Sequence, residues 1–165
     1  MLNRRCLLIL IILIVMLPMP VARAASSRWT WPLSAHSVSR VFAPPSARWG
    51  AGHRGVDLIG SAGETVFAAG AGTVTFAGRV AGRGVISIAH NTGLRTTYEP
   101  VTASVTVGMT VETGAPIGIL ETGHAGCPVP ACVHWGLKRE EMYLDPLSLF
   151  RRRQIRLLPL RDSPS

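Results

Sequence analysis

No segment of this 165-residue chain carries sustained helical periodicity, which excludes a helical bundle and argues against alternating β and α units. Acidic residues are few, nine against 17 lysines and arginines, for a formal charge of +8. The longest apolar run, Cys6 to Leu17, falls short of the roughly 20 residues a membrane-spanning helix needs, and Pro18 and Pro20 interrupt its extension. With Arg4 and Arg5 before it and Ala22-Arg23-Ala24 after it, the run reads instead as a cleavable export signal over residues 1–24. Cys6 precedes the apolar run, so the segment does not read as a lipoprotein signal. Cleavage removes three arginines and no acid, so the mature chain would keep +5 of the original +8. A basic exported surface fits an anionic envelope polymer or acidic lipid headgroups, and nucleic acid is not an expected partner.

Cysteine is scarce as well. Beyond the signal only Cys127 and Cys132 remain, an even count for an oxidising compartment, with Pro128 and Pro130 between them to bend a small loop. A Cys127–Cys132 disulfide is the favoured reading; two free thiols or two metal ligands are the others.

From Ser34 to Leu137 short β-branched or alternating runs are separated by glycine, the pattern of an all-β domain. The predicted strands are 38–42, 65–68, 73–77, 85–89, 94–98, 117–121 and 133–137. Asn91-Thr92-Gly93 predicts a hairpin turn, and the glycine-spaced stretch from Val107 to Gly118 reads as a turning segment between strands. This divides the chain into a signal (1–24), a lead-in with Trp29 and Trp31 (25–33), one domain (34–150) and a basic tail (151–165). Arg151-Arg152-Arg153 and the leucines after them give that tail a composition suited to weak contact with an anionic membrane; a solvated terminus is the plainer reading.

His53 and Asp57 form H-x-x-x-D, and His134 stands alone in the last predicted strand. Imidazole nitrogen and carboxylate oxygen are zinc donors, but each of these features taken singly is common without a metal. In order they say more. Gly52-His53-Arg54-Gly55-Val56-Asp57-Leu58, then Gly63 to Val74, then Ile88 to Tyr98, the stretch Val107 to Gly118 and the late His134 together resemble the lysostaphin/LytM-type zinc metallopeptidases. The resemblance covers about residues 34–150. It implies an antiparallel β-sheet domain with a zinc-binding groove, in which His53, Asp57 and His134 hold the metal. It also implies peptidoglycan or its peptides as substrate, outside the cytoplasm, in keeping with the export signal.

Two positions depart from the family pattern. Active members carry a histidine two places after a strand tyrosine, where this chain reads Tyr98-Glu99-Pro100; the late H-x-H reads Cys132-Val133-His134. The imidazoles credited with assisting water and stabilising the oxyanion are therefore replaced. Proline offers no side-chain donor or acceptor. Cys132 as a free thiolate would be a fourth zinc ligand or a base, and in a disulfide it would be neither. Two residues are candidates for the vacated proton-transfer role: His124, in the loop before the metal strand, and Glu99, beside the lost histidine. Two functions follow. One is an exported zinc metalloendopeptidase of peptidoglycan with a rebuilt catalytic shell. The other is a noncatalytic zinc-containing module that binds peptidoglycan or regulates a cell-wall hydrolase.

Overall fold

The structure is a computed structural model and describes residues 28–47 and 49–151. The predicted signal at 1–24 and the tail beyond Arg151 lie outside the described residues.

The strands are β1 (Val38–Arg40), β2 (Gly55–Gly60), β3 (Thr65–Phe67), β4 (Gly72–Val80), β5 (Arg83–Ala89), β6 (Leu94–Glu99), β7 (Val101–Ala103), β8 (Thr110–Val111), β9 (Pro116–Leu120), β10 (Ala131–Arg139) and β11 (Met142–Leu144). A single 3-10 turn, Pro146–Phe150, follows them among the described residues. The main sheet runs β1-β2-β10-β6-β5-β4-β8, with β11 pairing β10, and a smaller sheet runs β3-β9-β7. Every pairing is antiparallel. The all-β expectation holds, and each of the seven predicted strands is present with shifted ends.

Alternation assigns the two faces of the main sheet. Val56 and Leu58 of β2, Val133 and Trp135 of β10, and Tyr98 of β6 are buried in one core with Val66, Val101, Ile117 and Leu120 of the smaller sheet. Removing each large aliphatic side chain from water contributes about 1.5–3 kcal/mol, which is what holds the sheets together. The intervening residues Asp57, His134 and Glu99 therefore share the opposite face. Trp31 and Phe150, from the two ends of the described chain, stack at 4.9 Å and both lie against Trp135.

A buried polar chain crosses the core side. His90 donates Nδ1–H to the Ala71 carbonyl at 2.9 Å, which leaves Nε2 as acceptor for Thr96 Oγ1 at 2.8 Å. Thr96 Oγ1 in turn accepts from Tyr98 at 2.9 Å, and the Tyr98 oxygen accepts from Ala69 N–H at 2.9 Å. Every link is satisfied with a neutral His90. Burial lowers the His90 pKa from its usual 6.5, against the opposing pull of the Ala71 carbonyl, and burial raises Tyr98 to about 12.

Candidate metal centre

Two antiparallel neighbours build the site. His134 of β10 lies directly opposite Asp57 of β2, so their side chains rise from one face. His53 enters from the segment before β2, fixed by two backbone hydrogen bonds with Ala43 at 2.7 and 3.0 Å. Gly55 is required between them: a Cβ there would lie 2.6 Å from His134 Nε2 and 2.5 Å from the Trp135 carbonyl oxygen.

Asp57 Oδ1 is the focus of three imidazoles. His134 Nδ1 stands 2.7 Å from it, His53 Nε2 2.9 Å and His124 Nε2 3.0 Å, while His53 Nε2 is 3.1 Å from His134 Nδ1. One donor atom from each of the four residues lies within 4.8 Å of all the others. Asp57 is fully buried. Burial alone would raise its carboxyl pKa; hydrogen bonds from His124 and His134 and their charge outweigh that and hold it well below the usual carboxylate range.

The donor set fits a cation on chemical grounds. His53 Nδ1 donates to the Val41 carbonyl at 2.8 Å, so in the neutral ring Nε2 carries a lone pair, aimed at the lone pairs of Asp57 Oδ1 2.9 Å away. Two acceptors face each other at contact distance, an arrangement that a positive charge between them resolves. Asp57 Oδ2 is also buried without a hydrogen-bond partner. The Val41 carbonyl is the kind of outer partner that fixes the tautomer of a metal-ligating histidine.

The sequence-predicted triad His53, Asp57 and His134 is thus brought together, and His124 joins it from the loop before β10. Glu99 lies directly opposite His134 on β6, on the same face, with its carboxylate 3.7 Å from Arg83 Nε. Pro100 is buried where the chain leaves the main sheet for β7. Cys127 and Cys132 form a disulfide, with Cα atoms 5.8 Å apart, which takes Cys132 out of the pool of ligands and bases. Two supporting groups escaped sequence reasoning. One is the Val41 carbonyl. The other is Ser39, whose hydroxyl donates to the Asp57 backbone oxygen at 3.2 Å and lies 3.7 Å from Cys132 Sγ. No side-chain signal marks a useful carbonyl, and a serine in an edge strand is unremarkable until pairing places it.

A surface cavity of about 600 Å³ opens beside this strand pair, lined in part by Pro45, Trp49, Arg54, Lys138 and Tyr143. Lys138 shares the His134 face of β10, and its Nζ lies 5.0 Å from the Tyr143 ring centre. The cavity wall thereby combines aromatic rings with the cations Arg54 and Lys138, the latter 3.5 Å from the Glu141 carboxylate, which also lines it.

An antiparallel sheet carrying a convergent His/Asp group on one face defines a candidate metallohydrolase domain. The chain belongs to peptidase family M23, whose model matches residues 51–146. It is 50% identical over 144 residues to "Uncharacterized protein Rv2891" of Mycobacterium tuberculosis, covering 84% of this chain and 58% of that one. It is 32% identical over 136 residues to the lipoprotein NlpD/LppB homolog of Pseudomonas aeruginosa, covering 81% of this chain and 43% of the relative. The chain thus spans little more than half the length of these relatives, or less. Among solved structures it is similar to Helicobacter pylori Csd3, with a TM-score of 0.62 at 25% identity over 79% of this chain and 35% of that one. The catalytic domain of lysostaphin from Staphylococcus simulans shares the fold, with a TM-score of 0.59 at 22% identity over 70% of this chain and 92% of that domain.

Proposed function

We propose that this chain is an exported zinc metalloendopeptidase acting on the peptides of peptidoglycan, with His124 in the proton-transfer role vacated at Pro100 and Cys132. The observation that carries this reading is the convergence of His124 on the His53/Asp57/His134 group, 3.0 Å from Asp57 Oδ1. Membership of family M23 supports the class of reaction, and the lipoprotein relative supports a site of action outside the cytoplasm.

His53 through Nε2, Asp57 through Oδ1 and His134 through Nδ1 would hold the zinc. Such an ion, bound by three protein ligands with one position open, acidifies water toward neutrality and polarises a carbonyl. His124 Nε2 accepts the proton of the attacking water and passes it to the departing amine. Its ring is only 10% exposed, which keeps bulk water from competing for that proton. The Val41 carbonyl holds the His53 ring in the tautomer that presents Nε2. Trp49, Tyr143 and Lys138 line the adjoining cavity and supply stacking surface and positive charge for a peptide bearing carboxylates.

One observation also favours a noncatalytic module that binds peptidoglycan or regulates a cell-wall hydrolase. His124 converges on the same carboxylate oxygen as the other two histidines, and four protein donors is the number found in closed structural zinc sites. A single preparation separates the readings: protein exported from an oxidising host, with zinc measured and peptide release from peptidoglycan assayed. Zinc-dependent release abolished by His134→Ala establishes the peptidase. Stoichiometric zinc with no release from varied peptidoglycans leaves the noncatalytic module. Absence of zinc rejects both.

A further inference from the structure

We infer that the Cys127–Cys132 disulfide is a positioning device that seats His124 over the site, so that the four-residue cluster is assembled only while the bridge is closed. The inference deepens the proposed role of His124 by assigning what holds it in place.

The path of the chain carries the argument. Cys132 and His134 are two residues apart on β10, opposite Ile59 and Asp57 of β2 respectively, so both side chains rise from the groove face. Cys132 is fully buried there, with Ser39 Oγ 3.7 Å from its sulfur. The disulfide carries the chain from that anchored sulfur to Cys127. A turn then closes back, with Cys127 N–H donating to the His124 carbonyl at 3.3 Å. His124 emerges from this turn with its ring centre 5.5 Å from that of His134 and its Nε2 on Asp57.

Non-covalent anchors lie at the start of the loop, where Glu121 N–H donates to the Pro100 carbonyl at 3.0 Å and the Glu121 carboxylate accepts from Thr102 at 2.7 Å. Beyond Glu121, the other backbone hydrogen bond of the described loop is Gly123 N–H to the Pro130 carbonyl at 3.4 Å, a long one, and His124 Nδ1 is buried with no partner. Gly123 and Gly126 adopt positive φ of 90° and 85°, which lets the segment fold back on itself but adds no anchor. Apart from the contact of His124 with Asp57, the covalent link is thus the firm connection to the sheet of the chain on the C-terminal side of His124. Opening it with a dithiol consumes two electrons and two protons, leaves thiols at positions 127 and 132, and oxidises the dithiol to its own disulfide. The exported, oxidising location proposed above is where the closed form persists.

The test is proton NMR on the metal-free full chain, so that it reads side-chain placement whether or not the protein is a peptidase. In the oxidised protein, ring protons of His124 show cross-relaxation with those of His134, and His53 with His134, whose ring centres are 4.8 Å apart. His124→Ala identifies the first set. After reduction has added two titratable thiols, the His124–His134 peaks disappear while the His53–His134 peaks remain, and reoxidation restores them. The Cys127→Ser/Cys132→Ser variant behaves as the reduced protein does, with circular dichroism confirming that it is folded. Where zinc-loaded protein cleaves peptidoglycan, opening the bridge lowers the rate about a hundredfold, the scale of losing a general acid–base. Persistence of the His124–His134 peaks with both thiols free overturns the inference, as does their absence from the oxidised protein. Failure of cleavage alone overturns the peptidase reading and leaves this one standing.

Discussion

Glu99 and His134 face each other across β6 and β10, which puts a carboxylate on the same sheet face as a predicted metal ligand. Cross-strand partners lie about 5 Å apart at Cβ, so proximity alone would make Glu99 a rival to His124 as proton acceptor. Their partners distinguish them. Glu99 approaches Arg83, whereas His124 Nε2 approaches Asp57 Oδ1 itself. Glu99→Gln should therefore lower peptidoglycan hydrolysis by less than the roughly hundredfold minimum typical of a lost general base, and His124→Ala by about a hundredfold to ten-thousandfold. Steady-state rates with equal zinc content check both.

Asp57 should be indispensable for metal retention. Its Oδ1 is the common point of three imidazoles, and Oδ2 has no other partner. Asp57→Ala should abolish stoichiometric zinc binding, measured by atomic absorption after dialysis. In the wild type, free zinc at a hundred times its dissociation constant should add about 2.7 kcal/mol to stability, a gain that chelation reverses and the variant lacks.

Gly55→Ala should disable the site without touching a donor. The added methyl would meet the His134 ring and the Trp135 carbonyl at 2.5–2.8 Å, well inside normal contact. Overpacking of this kind typically costs about 1–3 kcal/mol, and β10 must shift to relieve it. The expected outcome is a lowered melting temperature together with weakened zinc affinity, read by calorimetry and chelator competition.

The His90 chain should make stability fall on acidification. The folded pKa of His90 lies below its ordinary 6.5, so the unfolded state takes up a proton first as pH drops. Its contribution is complete above pH 6.5 and is lost as pH falls through the depressed folded value, with a slope of at most about 1.4 kcal/mol per pH unit. Denaturant titrations of wild type and His90→Gln should show a shallower acid dependence in the variant. Tyr98→Phe should cost about 1–3 kcal/mol at any of these pH values, because it leaves the Ala69 N–H without its acceptor.

The sequence exposed the strands whose alternation is uninterrupted, such as Leu94–Glu99, and hid those whose composition points elsewhere. Gly55–Gly60 is not marked as a strand by its sequence, because glycines bound it and Asp57 breaks its apolar run. Yet that aspartate is the reason the strand matters. Val101–Ala103, Thr110–Val111 and Met142–Leu144 are too short for any period to register. The grouping of His53, Asp57 and His134 is legible, since they belong to an ordered motif set and the fold brings them together. The placement of His124 is open in the sequence, because a loop histidine acquires its position from how the loop is laid over distant paired strands, which local spacing does not encode.

The stack of Trp31 on Phe150 bears on how such a domain is carried. It brings the two ends of the described chain side by side, while the His/Asp group is drawn from β2 and the segment before it, from β10 and from the loop before β10. A polypeptide entering and leaving at one point can be extended on either side without parting the strands that hold the site. The domain has the geometry of a cassette, suited to riding within longer chains such as the relatives of which it spans 58%.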